Sequence, residues 1–167
     1  MQEANKTLLS HPLRKLFAPE SIAIVGASSS LERLTGRTLR YLQSFGYGGA
    51  IYPINPKADV ISGLPVHRNV TEVEGPVDLA ILSIKAKLIP DALRACADKK
   101  IPFALIYSSG FSETGDRALQ EEVSAIARDG DIRILGPNCQ GLANFAEGIP
   151  LTFSGALYEA PRPLPGH

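Results

Sequence analysis

Five short segments of the 167-residue chain hold the residue types that bind small anionic molecules. They are Gly26-Ala27-Ser28-Ser29-Ser30, Asn55-Pro56-Lys57, Lys85-Ala86-Lys87, Ser109-Gly110-Phe111 and Gly136-Pro137-Asn138-Cys139-Gln140-Gly141. A glycine-led loop that enters a helix can cradle a phosphate with its backbone N–H groups and the helix N-terminus, and serine hydroxyls add donors. The first segment has this composition without the GxGxxG spacing, because Ser28 and Leu31 stand where the second and third glycines would fall, and it has no Walker A pattern. By itself Gly26 is equally a tight-turn residue.

The second segment adds charge. Nicotinamide-binding domains usually carry an acidic residue after the second strand for the ribose hydroxyls, whereas this chain has Lys57 there. A cation suits an extra phosphate on an adenosine, as in NADP or coenzyme A, although most lone lysines are simply solvated. Lys85 and Lys87 add positive field or decorate a helix start, with solvent the expected surroundings of Lys87. Arg33 and Arg37 flank Gly36 at the start of the first helical pattern, an unfavourable place for cations unless an anion lies beside them. Glu113 is a candidate general base, but a helix-start role ranks first. Cys96 and Cys139 form no CxxC and no His/Cys cluster, which removes a disulfide framework and a zinc site and leaves reduced thiols. Cys139 has no histidine in a nucleophile motif, His11 and His67 read as ordinary loop residues, and Cys96 falls on a helix face turned to the core.

The segments are placed by an alternation of elements. Continuously apolar runs at Ser21–Val25, Ala50–Ile54, Leu79–Ile84, Phe103–Ser108 and Ile132–Leu135 predict parallel strands covered on both faces. Helical spacing predicts helices over Thr35–Phe45 (Leu39, Leu42, Phe45, ended by Gly46), Leu88–Lys99 (Leu88, Ala92, Ala95, Cys96) and Ala118–Arg128 (Leu119, Val123, Ile126). Strands alternating with helices give a doubly wound, mainly parallel α/β sheet, and all five segments then fall at the carboxyl ends of its strands, where such sheets bind ligands. Residues 55–76 read as a loop with at most a short helix near Thr71–Glu74. After Asn144 the alternation stops, and Pro161, Pro163 and Pro165 mark residues 156–167 as an interdomain linker. The expected organisation is an N-terminal extension (1–15), one domain (16–155) and that linker, as in a piece of a larger enzyme.

Seventeen Lys and Arg balance seventeen Asp and Glu, so no broad field attracts nucleic acid or an anionic membrane. The first residues are too polar for a signal peptide, and no run approaches the ~18 apolar residues of a membrane span. A cytoplasmic protein without nucleic-acid or membrane partners is expected.

In order and spacing, LFAPESIAIVGAS with Gly36, GAIYPINPK, GLPVHRNV, VDLAILSI, SSGFSETG and ILGPNCQG resemble the CoA-binding domain of nucleoside-diphosphate-forming acyl-CoA synthetases, from Leu16 to Gly141. That family includes ADP-forming acetate–CoA ligases and the succinyl-CoA synthetase alpha subunit. The resemblance implies a Rossmann-like domain in which Gly26, Ala27, Ser28, Ser29 and Ser30 bind the CoA phosphates and Lys57 contacts the adenosine. It implies that Tyr107, Ser108 and Ser109 lie along the nucleotide and pantetheine, and that Ile84, Lys85, Gly110 and Asn138 complete the site. Asn138 and Cys139 would lie near the chemistry without performing it. Lys85 departs from the family, which often has proline there. In the family reaction an acid and ATP or GTP, with magnesium, give an acyl phosphate, the phosphoryl group passes to a histidine, and CoA captures the acyl group. The histidine belongs to a downstream ligase domain and the nucleotide to an ATP-grasp domain, so this chain is expected to supply no catalytic residue; His167 has no motif of that kind. Two other readings use the same residues: a stand-alone CoA or acyl-CoA binding regulator, and an NADP-binding domain of an oxidoreductase. The missing GxGxxG and missing hydride-transfer residues count against the second.

Overall fold

The computed structural model describes residues 11–157. The five apolar runs pair as one parallel sheet: β1 (Ser21–Val25), β2 (Ala50–Ile54), β5 (Leu79–Leu82), β6 (Phe103–Ile106) and β7 (Arg133–Leu135). Two two-residue strands, β3 (Val60–Ile61) and β4 (Leu64–Pro65), form a small hairpin between β2 and β5. The sheet order is β2-β1-β5-β6-β7, with Ser21 opposite Ala50, Ile22 opposite Leu79, Leu79 opposite Phe103 and Phe103 opposite Arg133. Pro53 lacks an N–H for the ladder and is tolerated because β2 is an edge strand.

Helix α1 is one turn (Arg14–Phe17); α2 (Leu34–Ser44), α3 (Ile89–Asp98) and α4 (Arg117–Asp129) follow β1, β5 and β6. Side chains alternate along β1: Ala23 joins a core with Leu93, Cys96 and Val123 under α3 and α4, while Ile22 and Ile24 join one with Leu39 and Leu42 under α2. Both faces are therefore dry, which is why the strands read as unbroken apolar runs. Chain order reverses between β1 and β5, and the carboxyl ends of these two central strands open a crevice there.

Three features depart from the sequence reading. Leu88 is 49% exposed in a 3₁₀ turn ahead of α3, and the buried stripe of that helix is Ile89, Leu93 and Cys96. The stretch 55–76 holds the β3–β4 hairpin as well as the short helical turn, which spans Val70–Glu72. Beyond the last parallel strand, β8 (Gly141–Asn144) and β9 (Ile149–Thr152) form an antiparallel hairpin that packs on α2 and buries Ile149 and Leu151. Its burial partners are remote in sequence, so local patterning carries no sign of it. The proline-rich stretch with Pro161, Pro163 and Pro165 lies outside the described residues.

Leu151 is fully buried at the seam between this hairpin and α2. Leu151→Ala is expected to lower unfolding free energy by about 2–5 kcal/mol in urea denaturation; an unchanged midpoint would mean that the hairpin is not part of the cooperative core.

Candidate functional site

The loop after β1 is built by close approach. Gly26 has φ +84°, and a Cβ there would overlap the carbonyl oxygen of Ser83 and lie 2.8 Å from Ile84 Cγ2. Gly36, inside the first turns of α2, has no space for a Cβ because the Ser30 carbonyl occupies it. The two glycines thus let the loop lie against both β5 and α2, a close helix–loop packing that a GxGxxG motif obtains with its own spacing.

The polar groups of this loop are sorted by direction. Gly26 and Ala27 donate their N–H groups to the carbonyl of Ile54 (3.0 and 3.3 Å). Their own carbonyls accept from Thr35 Oγ1 (2.8 Å) and Asn55 Nδ2 (2.9 Å). Both residues are therefore fixed through their donors and their acceptors alike. Among the described residues the N–H groups of Ser28 and Ser29 meet no protein acceptor, and no side chain caps the N-terminus of α2. Arg33 occupies that N-cap position. A helix start without a side-chain cap leaves N–H groups for water or an anion, and a cationic residue at that positive end favours the anion.

These groups wall a cavity of about 660 Å³ bounded by Ser28, Ser29, Glu32, Arg33 and Thr35 and by Asn55, Ala58, Val60 and Ile61. Val60, 64% exposed, gives that second wall an apolar surface. Lys57, exposed between Asn55 and Ala58, is outside the cavity lining, and its N–H is fixed by Asn55 Oδ1 at 2.8 Å; Ser30 is also outside the lining and donates its N–H to Ser28 Oγ at 3.0 Å. Sequence reasoning did not mark Thr35 or the Ala58–Ile61 wall, since their part in the site comes from contacts across the fold. A cavity of about 670 Å³ opens at the opposite end of the strands, but charges there are already paired, Lys15 with Asp78 at 2.9 Å and Arg14 with Glu20 at 3.5 Å.

The remaining expected residues lie along the same edge without lining the cavity. Ile84 and Lys85 continue from Ser83, which does line it. The Tyr107 ring is buried, 4.9 Å from the Phe153 ring, and its hydroxyl accepts from Thr38; burial raises its pKa. Ser108 is also buried, Ser109 is exposed, and Gly110 takes φ +107°. Asn138, with φ +54°, donates its N–H to the Ser108 carbonyl at 3.0 Å. Cys139 is half-buried, its thiol facing the carbonyls of Leu135 and Ile106 at 3.3 and 3.5 Å, and desolvation raises its pKa; Cys96 is fully buried and pushed up to about 12 by desolvation. Neither is an activated thiolate. No cluster of His, Cys, Asp and Glu suited to a metal occurs among the described residues.

Glu113 is a helix-start residue of the 3₁₀ turn Ser112–Thr114 rather than of α4, which Asp116 caps by accepting the Leu119 N–H at 3.0 Å. Its carboxylate accepts the N–H groups of Gly110 (2.6 Å) and Phe111 (3.2 Å), while Phe111 anchors the same loop in the core. The Gly110 hydrogen bond is the main reason that the pKa of Glu113 is lowered. A depressed pKa means that the clasp is present above the ordinary glutamate range and is lost as pH falls through the lowered value. The Gly110 and Phe111 amide resonances should titrate together below the ordinary glutamate pKa of about 4.3; titration at the ordinary value would show that the clasp is absent in solution.

Residues 20–144 match the family model described as a CoA binding domain. The ADP-forming acetate–CoA ligase II of Archaeoglobus fulgidus is 39% identical over 144 residues, which are 85% of this chain and 21% of that protein. The ADP-forming 4-hydroxybutyrate–CoA ligase of Nitrosopumilus maritimus is 33% identical over 131 residues, 77% of this chain and 19% of that one. The solved dinucleotide forming acetyl-coenzyme A synthetase 1 of Ca. Korarchaeum cryptofilum, in complex with phosphate and ADP, superposes with TM-score 0.81 at 36% identity, covering 84% of this chain and 30% of that one. The chain spans about a fifth of the length of these two ligases.

Filling the space at Gly36 tests the cradle. Gly36→Ala should leave the far-ultraviolet circular dichroism unchanged and weaken anion binding at the loop at least tenfold, because the Ser30 carbonyl must move; undiminished binding in the folded variant would place the anion elsewhere.

Proposed function

The chain belongs to the CoA-binding domain family, and on that premise we propose that it is the CoA-binding part of an ADP-forming acid–CoA ligase whose chemistry is completed by domains outside this chain. The observation that carries the reading is the loop 26–30. Its Gly26 and Ala27 carbonyls are tied inward, and the Ser28 and Ser29 amides, the N-terminus of α2 and Arg33 border one cavity that Glu32 also lines. A diphosphate bridging two bulky groups fits that set of donors better than a single carboxylate does, since several donors need several acceptor oxygens.

In this reading Ser28, Ser29, Ser30 and Arg33 hold the diphosphate of CoA, with Gly26 and Ala27 shaping the loop. Lys57 meets the phosphate on the adenosine ribose, and Ile84, Lys85, Ser109, Gly110 and Asn138 border the path of the pantetheine toward the 136–141 loop. CoA supplies the thiol that accepts the acyl group. This chain's residues bind and orient it; none of them is assigned a proton or phosphoryl transfer. Formation of an acyl phosphate from an acid and ATP or GTP, with magnesium, falls to the downstream ligase and ATP-grasp domains, and the chain alone is expected to be inactive. Relatives that name different acids match over this one domain, which agrees with selection of the acid elsewhere. A protein acting in the cytoplasm follows from the use of CoA and a nucleoside triphosphate.

Calorimetric titration with CoA, dephospho-CoA, NADP and NAD at one salt concentration tests the reading. CoA should bind and NAD and NADP should give little heat; selective NADP binding would overturn the ligase assignment in favour of an oxidoreductase domain. Lys57→Glu should cost CoA binding about 1–3 kcal/mol and dephospho-CoA binding little, as for loss of one charge-assisted contact. Equal losses for the two ligands would remove Lys57 from the ribose phosphate.

A further inference from the structure

The end of β6 holds together two loops that belong to different steps of the proposed function. Ser108 Oγ accepts the N–H of Ile84 at 3.1 Å and donates to the carbonyl of the same residue at 2.6 Å. A serine hydroxyl has one proton to donate, so no donor is left for a ligand. The backbone carbonyl of Ser108 accepts the Asn138 N–H at 3.0 Å. One buried residue thus closes both backbone groups of Ile84 and fixes the turn that carries Asn138.

Ile84 is the link to the cradle. It follows Ser83, which lines the cavity, and its Cγ2 lies where any side chain on Gly26 would have to go. The segment is one residue past a pairing in which Ser83 donates to the Val25 carbonyl at 3.1 Å, beyond the regular ladder of β5. There the sheet no longer supplies partners for Ile84, and the Ser108 hydroxyl replaces them.

From this arrangement we infer that Ser108 is a positioning residue, which acts on the ligand by holding Ile84 against the Gly26 loop and does not touch the ligand itself. The inference rests on the CoA reading and deepens it: the loop that receives the phosphates and the 136–141 loop are set by one side chain and one carbonyl of the same residue.

A double-mutant cycle with amide exchange tests it. Ser108→Ala should speed hydrogen exchange at the Ile84 amide at least tenfold without ligand and weaken CoA binding about fivefold, the equivalent of one neutral hydrogen bond. Ser108→Thr, which keeps a hydroxyl, should restore both to within about twofold. In an Ile84→Ala background, where the contact with the Gly26 loop is gone, Ser108→Ala should cost less than about twofold, because the two residues act through one contact. Additive losses, or unchanged exchange at Ile84, would overturn the inference and return Ser108 to direct ligand contact or to no role. Absence of CoA binding by the wild-type protein would instead overturn the ligase reading, while the exchange measurement would still report on the Ser108–Ile84 link.

Discussion

The approach of the Gly26 backbone to Ser83 is the contact on which the carboxyl edge of the sheet depends. β1 and β5 are neighbours whose following segments leave in different directions, and the loop after β1 can turn into α2 only by crossing close to the end of β5. A side chain at position 26 would displace either the Ser83 carbonyl or Ile84, and φ +84° disfavours one on conformational grounds as well. The Ser28 and Ser29 amides and the N-terminus of α2 take their place from that crossing.

Around this contact several polar groups are satisfied within the protein, while the Glu32 carboxylate stays on the cavity wall. Thr35 and Asn55 take the loop carbonyls, Ser108 closes Ile84, and Glu113 occupies the amides of its own loop. Among the described residues no buried side-chain nitrogen or oxygen lacks a hydrogen-bond partner. Each of these internal hydrogen bonds fixes a backbone group at the carboxyl edge of the sheet.

The parallel sheet and its three main helices were readable from local pattern because a strand buried on both faces must be apolar throughout, and a helix covering one face must repeat near 3.6 residues. Elements whose stability comes from distant partners were not readable. The β8–β9 hairpin is held by Leu39, Leu42 and their neighbours on α2 more than a hundred residues earlier, and β3–β4 has only two residues in each strand. Leu88 fits the helical spacing but lies in the 3₁₀ turn before it, where Ile89 instead meets the core.

Residue types and order by themselves determined the α/β class, the five loops at one end of the sheet, the cationic residue after the second strand and the likeness to CoA-binding domains. Only the tertiary structure decided which atoms of those loops are free. Type and spacing state that a serine can donate and a glutamate can accept, but whether Ser108 meets a ligand or Ile84, and whether Glu113 meets substrate or Gly110, depends on which backbone groups the fold leaves unpaired beside them. That is a property of three-dimensional neighbours, because a hydrogen bond is decided within about 3 Å and those neighbours are many residues apart along the chain.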